Sequence, residues 1–290
     1  MKKEIIDLSK NIGIDEIGFC STKNLIVDYN KYKIQEELDY KCPFQVGDLS
    51  DKDLTNPKYS IYNTVICICI GYKKVKFDDK NKVYLSSVAC GYDYHKLLKE
   101  KLNKISEFLN NKGYQSKLFV DNNPLDEKLL AYNCGIGFFG KNNLLINKNL
   151  GSYFHIGILL TDAIIESDKI INLNCGNCNL CVKNCPSKAI NNSGVLNAKK
   201  CLSYLTQKKN LNDGEEFNFN NCIYGCDKCI SVCPYNKNVP YTLNEGIDPN
   251  EFLNMSEEEF KEKYKDSAIL WRGKKVIDRN INIYLKNIDK

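Results

Sequence analysis

The chain has 290 residues, of which 43% are hydrophobic and 27% charged. That leaves room for one sizeable core plus a smaller module, and it excludes a disordered or fibrous chain. The formal charge of +5, from 41 Lys and Arg against 36 Asp and Glu, is too mild to mark a nucleic-acid binder by itself, and codon bias is the plainer source of the lysine-rich, asparagine-rich composition.

In chain order, the opening MKKEIIDLSKNIG reads as an amphipathic helix with Ile5, Ile6 and Leu8 on one face. It lacks the continuous apolar stretch of a signal peptide, so the protein is expected in the cytoplasm. Apolar runs at Glu16–Cys20, Val65–Ile70, Val83–Ala89, Lys117–Val120 and Tyr153–Leu160 read as strands. The longest apolar run, Thr64–Gly71, is too short to cross a bilayer. Cys67 and Cys69, at strand period, face one side and pack as small hydrophobes; Cys20, Cys42 and Cys134 are further core or surface thiols. Tyr94–Asn111 carries a helical stripe of Leu97, Leu98, Leu102, Ile105, Phe108 and Leu109 and ends at Gly113, a C-terminal cap. Residues 1–166 therefore form an α/β or α+β layered domain. Residues 167–243 are dominated by Cys, Gly, Asn and Pro, too poor in apolar residues for an ordinary core, so metal supplies the cohesion. In the closing segment, 244–290, Ser256–Glu259 fits a capping box and Lys274–Leu285 a second helix.

Nine of the fifteen cysteines fall between Cys175 and Cys233. A disulfide framework is the wrong reading in a reducing compartment, and such density points to metal. Cys175, Cys178, Cys181 and Cys185-Pro186 follow the C-x2-C-x2-C-x3-C-P spacing of bacterial ferredoxins. Cys226, Cys229 and Cys233-Pro234 form a second, incomplete copy. Cys201 is the expected donor of the missing thiolate, with Cys222 as the alternative. By the ferredoxin crossing rule, Cys175, Cys178, Cys181 and Cys233 hold one [4Fe-4S] cluster, and Cys185, Cys201, Cys226 and Cys229 the other. A pair of zinc sites is the competing reading of the C-x2-C pairs.

Two clusters make an electron wire, and a wire needs a terminus in the large domain that precedes it. That domain has no P-loop, and Gly135-Ile-Gly137-Phe-Phe-Gly140 matches dinucleotide-binding spacing only weakly, because strand-like KNNLLIN follows it and no acidic ribose partner stands out. The segment Phe119-Val-Asp121-Asn-Asn-Pro124, the run Gly135–Asn142, Leu145-Ile-Asn147 and Gly151-Ser-Tyr153 are similar to the central block of epoxyqueuosine reductases. So are Asp93-Tyr-His95, Cys201–Thr206, Gly225–Cys229, Trp271-Arg-Gly273 and Arg279-Asn280. The resemblance spans nearly the whole chain in order.

It implies an α+β protein: a corrinoid-binding, nitroreductase-like α/β domain, then a ferredoxin-like double [4Fe-4S] module and a short helical C-terminus. The implied activity is reduction of epoxyqueuosine to queuosine in the tRNA anticodon loop, with cobalamin and two clusters as cofactors and a ferredoxin or flavodoxin as electron donor. Asp121 matches the family's proposed proton donor, a role that asks for a raised pKa; its plainer reading is a cap on a helix over Leu125–Asn133. Within the same frame Cys90, His95, Lys141, Asn142, Asn147 and Ser152 are candidate cobalamin contacts, whereas His155 reads as packing. The only arginines, Arg272 and Arg279, mark places where lysine cannot reproduce the bonding, either toward carboxylate or phosphate or as a structural tie between terminal helix and cluster module. Relatives carry a small residue and a glycine where this chain has Asn122-Asn123, and asparagine tolerates the left-handed turn required there. Many relatives also extend into helical repeats that help hold tRNA, whereas this sequence ends shortly after the Arg279-Asn280 element. The competing functions are a small-molecule corrinoid reductase of the reductive-dehalogenase kind and a non-enzymatic electron-transfer protein.

Overall fold

The computed structural model describes residues 1–290 except 78, 80, 192–194, 216–218 and 289–290. The chain is mixed α/β and divides into two compact units, one of residues 1–71 and 94–178, the other of residues 72–93 and 179–290. These units cut the chain differently from sequence segments ending at 166 and 243. Residues 72–93 pair with strands of the cysteine-rich region, and the C-terminal helices share a core with it.

The first unit is built on a four-stranded antiparallel sheet in the order Glu16–Ser21, Thr64–Gly71, Phe154–Thr161, Ser116–Phe119. Strand Thr64–Gly71 explains its own unbroken apolar run. Val65, Cys67 and Cys69 face one core while Ile66, Ile68 and Ile70 face another, so both sides must be covered. Helices Lys2–Asn11 and Tyr94–Asn111 cover the isoleucine side, burying Ile5, Leu98, Leu102, Ile105 and Leu109. Each of these burials is worth about 1.5–3 kcal/mol. On the cysteine side, helix Glu127–Asn133 contributes Leu130 and Ala131, and the Cys134 thiol lies 3.3 Å from that of Cys20. Gly18 is obligatory there, since a Cβ would stand 2.1 Å from the Cys134 carbonyl oxygen.

The second unit has few long elements. Short helices Leu180–Lys183, Leu202–Leu205 and Lys228–Ser231 carry or flank the cysteines. Strand Tyr84–Leu85 pairs in parallel with Cys222–Tyr224, and Lys74–Lys76 with Tyr241–Leu243. The core unites Val83, Leu85, Ile223, Phe252, Phe260, Ile269, Ile277 and Ile281, the last two from helix Lys274–Ile288. Ser256 and Glu259 form the reciprocal capping box that opens helix Glu257–Lys263. The expected strand Val83–Ala89 is only two residues long and then tightens into a 3-10 turn at Ser87–Ala89, because the Asp227 carboxylate takes both the Ser87 amide at 2.7 Å and its hydroxyl at 2.6 Å. Among the described residues no helix is long and apolar enough to cross a membrane.

Candidate functional site

In the first unit, Asp121 lies two residues beyond strand Ser116–Phe119, and His155 lies near the start of Phe154–Thr161. Antiparallel pairing of those strands sets the two positions at one end of the sheet. Tyr94 and His95 come from the first turn of helix Tyr94–Asn111. The Tyr94 hydroxyl donates to Asp121 Oδ2 at 2.5 Å, and His95 Nε2 lies 3.2 Å from the same oxygen. The Tyr94 ring stacks on His155 at 4.3 Å with an interplanar angle of 5°, and on His95 at 4.0 Å. The side chain of Asp121 remains 47% exposed at the edge of this stack.

Asp121 is not a helix cap. The helix starts at Glu127, and its N-cap is Asp126, whose Oδ1 accepts from the Leu129 amide at 3.0 Å. Instead, Asp121 and Asn122 both take φ of 45°, a tandem left-handed turn. The charge state of Asp121 also differs from the raised value that proton donation asks for. Burial pushes its pKa up, but hydrogen bonds from His95, Tyr94 and the Asn122 amide outweigh burial and hold it at about 2. Glu127 shows the opposite balance: burial, reinforced by the Asp121 and Asp126 carboxylates, outweighs its bonds from Asn123 and the Asp121 amide and raises it to about 7.

The other candidate contacts divide. Asn142 is 5% exposed; its Oδ1 accepts from the Leu144 amide at 3.3 Å, while its amide nitrogen makes no hydrogen bond among the described residues. Gly140 makes room for it, because a Cβ there would stand 2.7 Å from Asn142 Oδ1. Lys141 is exposed and Ser152 buried. Asn147 is committed to its own turn, donating to the Ile136 carbonyl at 2.7 Å and accepting from the amides of Asn149 and Leu150. Cys90 belongs to the second unit, packs against that core, and bonds the Leu85 carbonyl at 3.4 Å. Burial and the Asp227 carboxylate push its thiol up to about 12, so it is a neutral packing group there.

Among the cysteines, Cys175 and Cys178 close the segment grouped with the first unit, and the rest of the run belongs to the second. Cys201 is the N-cap of helix Leu202–Leu205. Burial, then the neighbouring Cys201, Asp227 and Cys185, push the Cys226 thiol up to about 11 against an opposing backbone hydrogen bond at Lys228. Thiols gathered this way ionise together only when a cation offsets their charge, which is what an iron–sulfur cluster supplies. Among the described residues no three His, Cys, Asp or Glu side chains converge to hold a single metal ion; a cubane spreads its thiolates over separate corners. Cys222 is buried in strand Cys222–Tyr224, its thiol directed at the carbonyls of Tyr224 and Gly225 at 3.6 and 3.5 Å.

The Arg279-Asn280 pair is a structural tie. Arg279 Nη1 donates to the carbonyls of Lys208 and Lys209 at 2.6 and 2.9 Å, and Nη2 to that of Leu205 at 3.3 Å. Asn280, fully buried, donates to the carbonyls of Thr206 and Ile223. Sequence reasoning missed Tyr94, Glu127 and Asp227 as working residues, and read His155 as packing without its stack on Tyr94. Only Glu127 left a local signal, as an acid in the first turn of a helix beside the Asp121 turn.

Residues 174–236 match the 4Fe-4S double cluster binding domain, and residues 59–122 match the family described as Epoxyqueuosine reductase QueG, DUF1730. An epoxyqueuosine reductase of Staphylococcus aureus is 32% identical over 313 aligned positions, covering 100% of this chain and 81% of the relative. The crystal structure of an epoxyqueuosine reductase with a tRNA-Tyr epoxyqueuosine-modified tRNA stem loop superposes with a TM-score of 0.89 at 32% identity, over 98% of this chain and 80% of that one. A Bacillus subtilis epoxyqueuosine reductase, with its catalytic aspartate loop swung out of the active site, gives 0.86 at 32% identity over the same shares. The chain belongs to the epoxyqueuosine reductase family.

Proposed function

We propose that this protein reduces epoxyqueuosine to queuosine in the anticodon loop of tRNA. The observation that carries the reading is the half-exposed Asp121 carboxylate, held by Tyr94 and His95 at one end of the sheet, in a chain whose relative was solved with the modified stem loop. Removing the epoxide oxygen as water consumes two electrons and two protons. Cys175, Cys178, Cys181 and Cys233 would hold one [4Fe-4S] cluster and Cys185, Cys201, Cys226 and Cys229 the other, and the pair would supply single electrons taken from a ferredoxin or flavodoxin. Cobalamin, when bound, supplies the strongly reducing centre that the epoxide-bearing ring requires. Asn142, whose side-chain amide nitrogen is unengaged, with Lys141, Ser152 and the His95 ring, would be the contacts to corrin amides. Asn147 and Cys90 drop out of that set, since both side chains are spent on their own backbone.

Asp121 delivers the proton to the departing oxygen. With its carboxyl held at about 2, it does not store that proton at neutral pH. His95, whose ring meets Oδ2, would pass a proton to it as the oxygen departs, and Tyr94 would hold the carboxylate in place by donating to the same oxygen. The test is anaerobic turnover of epoxyqueuosine-containing tRNA by the reconstituted protein, against the free nucleoside and a halogenated arene as competing substrates. Turnover of the tRNA alone supports the reading; turnover of the arene and not the tRNA would transfer it to the dehalogenase-like class.

A further inference from the structure

We propose that Glu127 is the positioning residue that holds Asp121 in its reactive place, by fixing the left-handed turn through the Asp121 amide and the Asn123 side chain. The inference rests on the reading of Asp121 as proton donor. Two consecutive non-glycine residues at φ of 45° are unfavourable in isolation, so something outside the turn must hold them. Glu127 Oε1 accepts from the Asp121 amide at 2.8 Å and from Asn123 Nδ2 at 2.7 Å. Asn123 relays the hold, donating also to the Asp121 carbonyl at 3.2 Å and accepting from the Leu125 amide at 3.0 Å. One carboxylate oxygen thus fastens both ends of the turn to the rigid start of helix Glu127–Asn133.

The surroundings make this hold sensitive to protons. Glu127 borders a cavity of about 210 Å³ shared with Asp121, Asp126, Tyr32, Lys31, Lys52 and Lys128. The lysines are engaged elsewhere: Lys31 bonds Asn143 Oδ1, Lys128 the Asn143 carbonyl at 3.2 Å, and Lys52 the Pro124 carbonyl at 2.6 Å. Tyr32 donates to Asp126 at 2.7 Å, and His95 faces Asp121 from its far side. Among the described residues no lysine or arginine forms an ion pair with Glu127, and burial, reinforced by the Asp121 and Asp126 carboxylates, raises it to about 7. In an open turn that left Glu127 to solvent, its value would return to the ordinary 4.5. Closure therefore takes up a proton: it is strongest below the open-state value, weakens as pH rises toward 7, and levels off above. From these two values, closure is weakened about tenfold between pH 6 and pH 8.

The experiment is hydrogen exchange of the peptide carrying the Asp121 amide, in the full reconstituted chain, at pH 6 and pH 8 after correction for intrinsic exchange. Wild type is expected to open about tenfold more at pH 8. Glu127→Gln keeps an oxygen that accepts both bonds and cannot ionise, so its protection should not change with pH. Glu127→Ala should be unprotected at both pH values, with kcat lowered and the KM for tRNA nearly unchanged; Gln should rescue kcat. Wild-type protection in Glu127→Ala, or a wild-type pH response in Glu127→Gln, would overturn the proposal. Asp121→Asn separates the two readings: normal turnover in that variant defeats the proton-donor role, while its amide protection still reports the hold by Glu127.

Discussion

Asp121 enters the site with its carboxylate already bonded to a phenol and an imidazole. The proposed role of Asp121 in proton delivery makes a sharp prediction. Asp121→Asn keeps the shape of the turn but ends proton delivery, so turnover of modified tRNA should fall about 10²–10⁴-fold, while iron content and cobalamin binding persist. Turnover within a few-fold of wild type, at saturating reductant, would remove Asp121 from the reaction. The thiols are separable in the same way. Cys201→Ala should drop iron from about eight to about four per chain and Cys222→Ala should leave it unchanged; the reverse pattern in an iron assay would exchange their roles. At this scale the sequence was informative for the backbone at Asn122, whose residue type tolerates the left-handed conformation it takes. It was silent where partners are distant. Nothing local links Tyr94 or His155 to Asp121, and the pKa of Asp121 follows from those partners rather than from burial alone.

Elements with strong periodicity or a capping signature were legible from sequence. Helix Tyr94–Asn111 and the Ser256–Glu259 box stand where their patterns put them. The run Val83–Ala89 was not, because Asp227, far along the chain, bends it into a 3-10 turn through Ser87. Asp227→Ala leaves the buried Ser87 amide and the proton of its hydroxyl without an acceptor, the hydroxyl oxygen still accepting from the Val75 amide, and should lower stability by about 1–3 kcal/mol. Asn280→Ala orphans the Thr206 and Ile223 carbonyls, with a loss of the same order for each group left unpaired. Thermal unfolding of the reconstituted proteins, followed by circular dichroism, checks both; midpoints equal to wild type would make these contacts incidental.

At the level of the whole molecule, sequence conveyed the order of a layered α/β region, a cysteine-rich region and terminal helices. It did not convey that residues 72–93 pack with residues 179–290, since pairings such as Tyr84 with Cys222 join positions whose local patterns are unrelated. Family membership adds what neither pattern nor packing states, the identity of the substrate in a relative. The measurement that tests the account most directly is nucleoside mass spectrometry of epoxyqueuosine-containing tRNA after anaerobic incubation with the reconstituted protein, cobalamin and a low-potential reductant. The epoxyqueuosine nucleoside is expected to lose the mass of one oxygen atom and co-elute with queuosine, and omitting the protein to abolish the change. Unaltered epoxyqueuosine, with clusters and cobalamin both shown to be bound, would contradict the account.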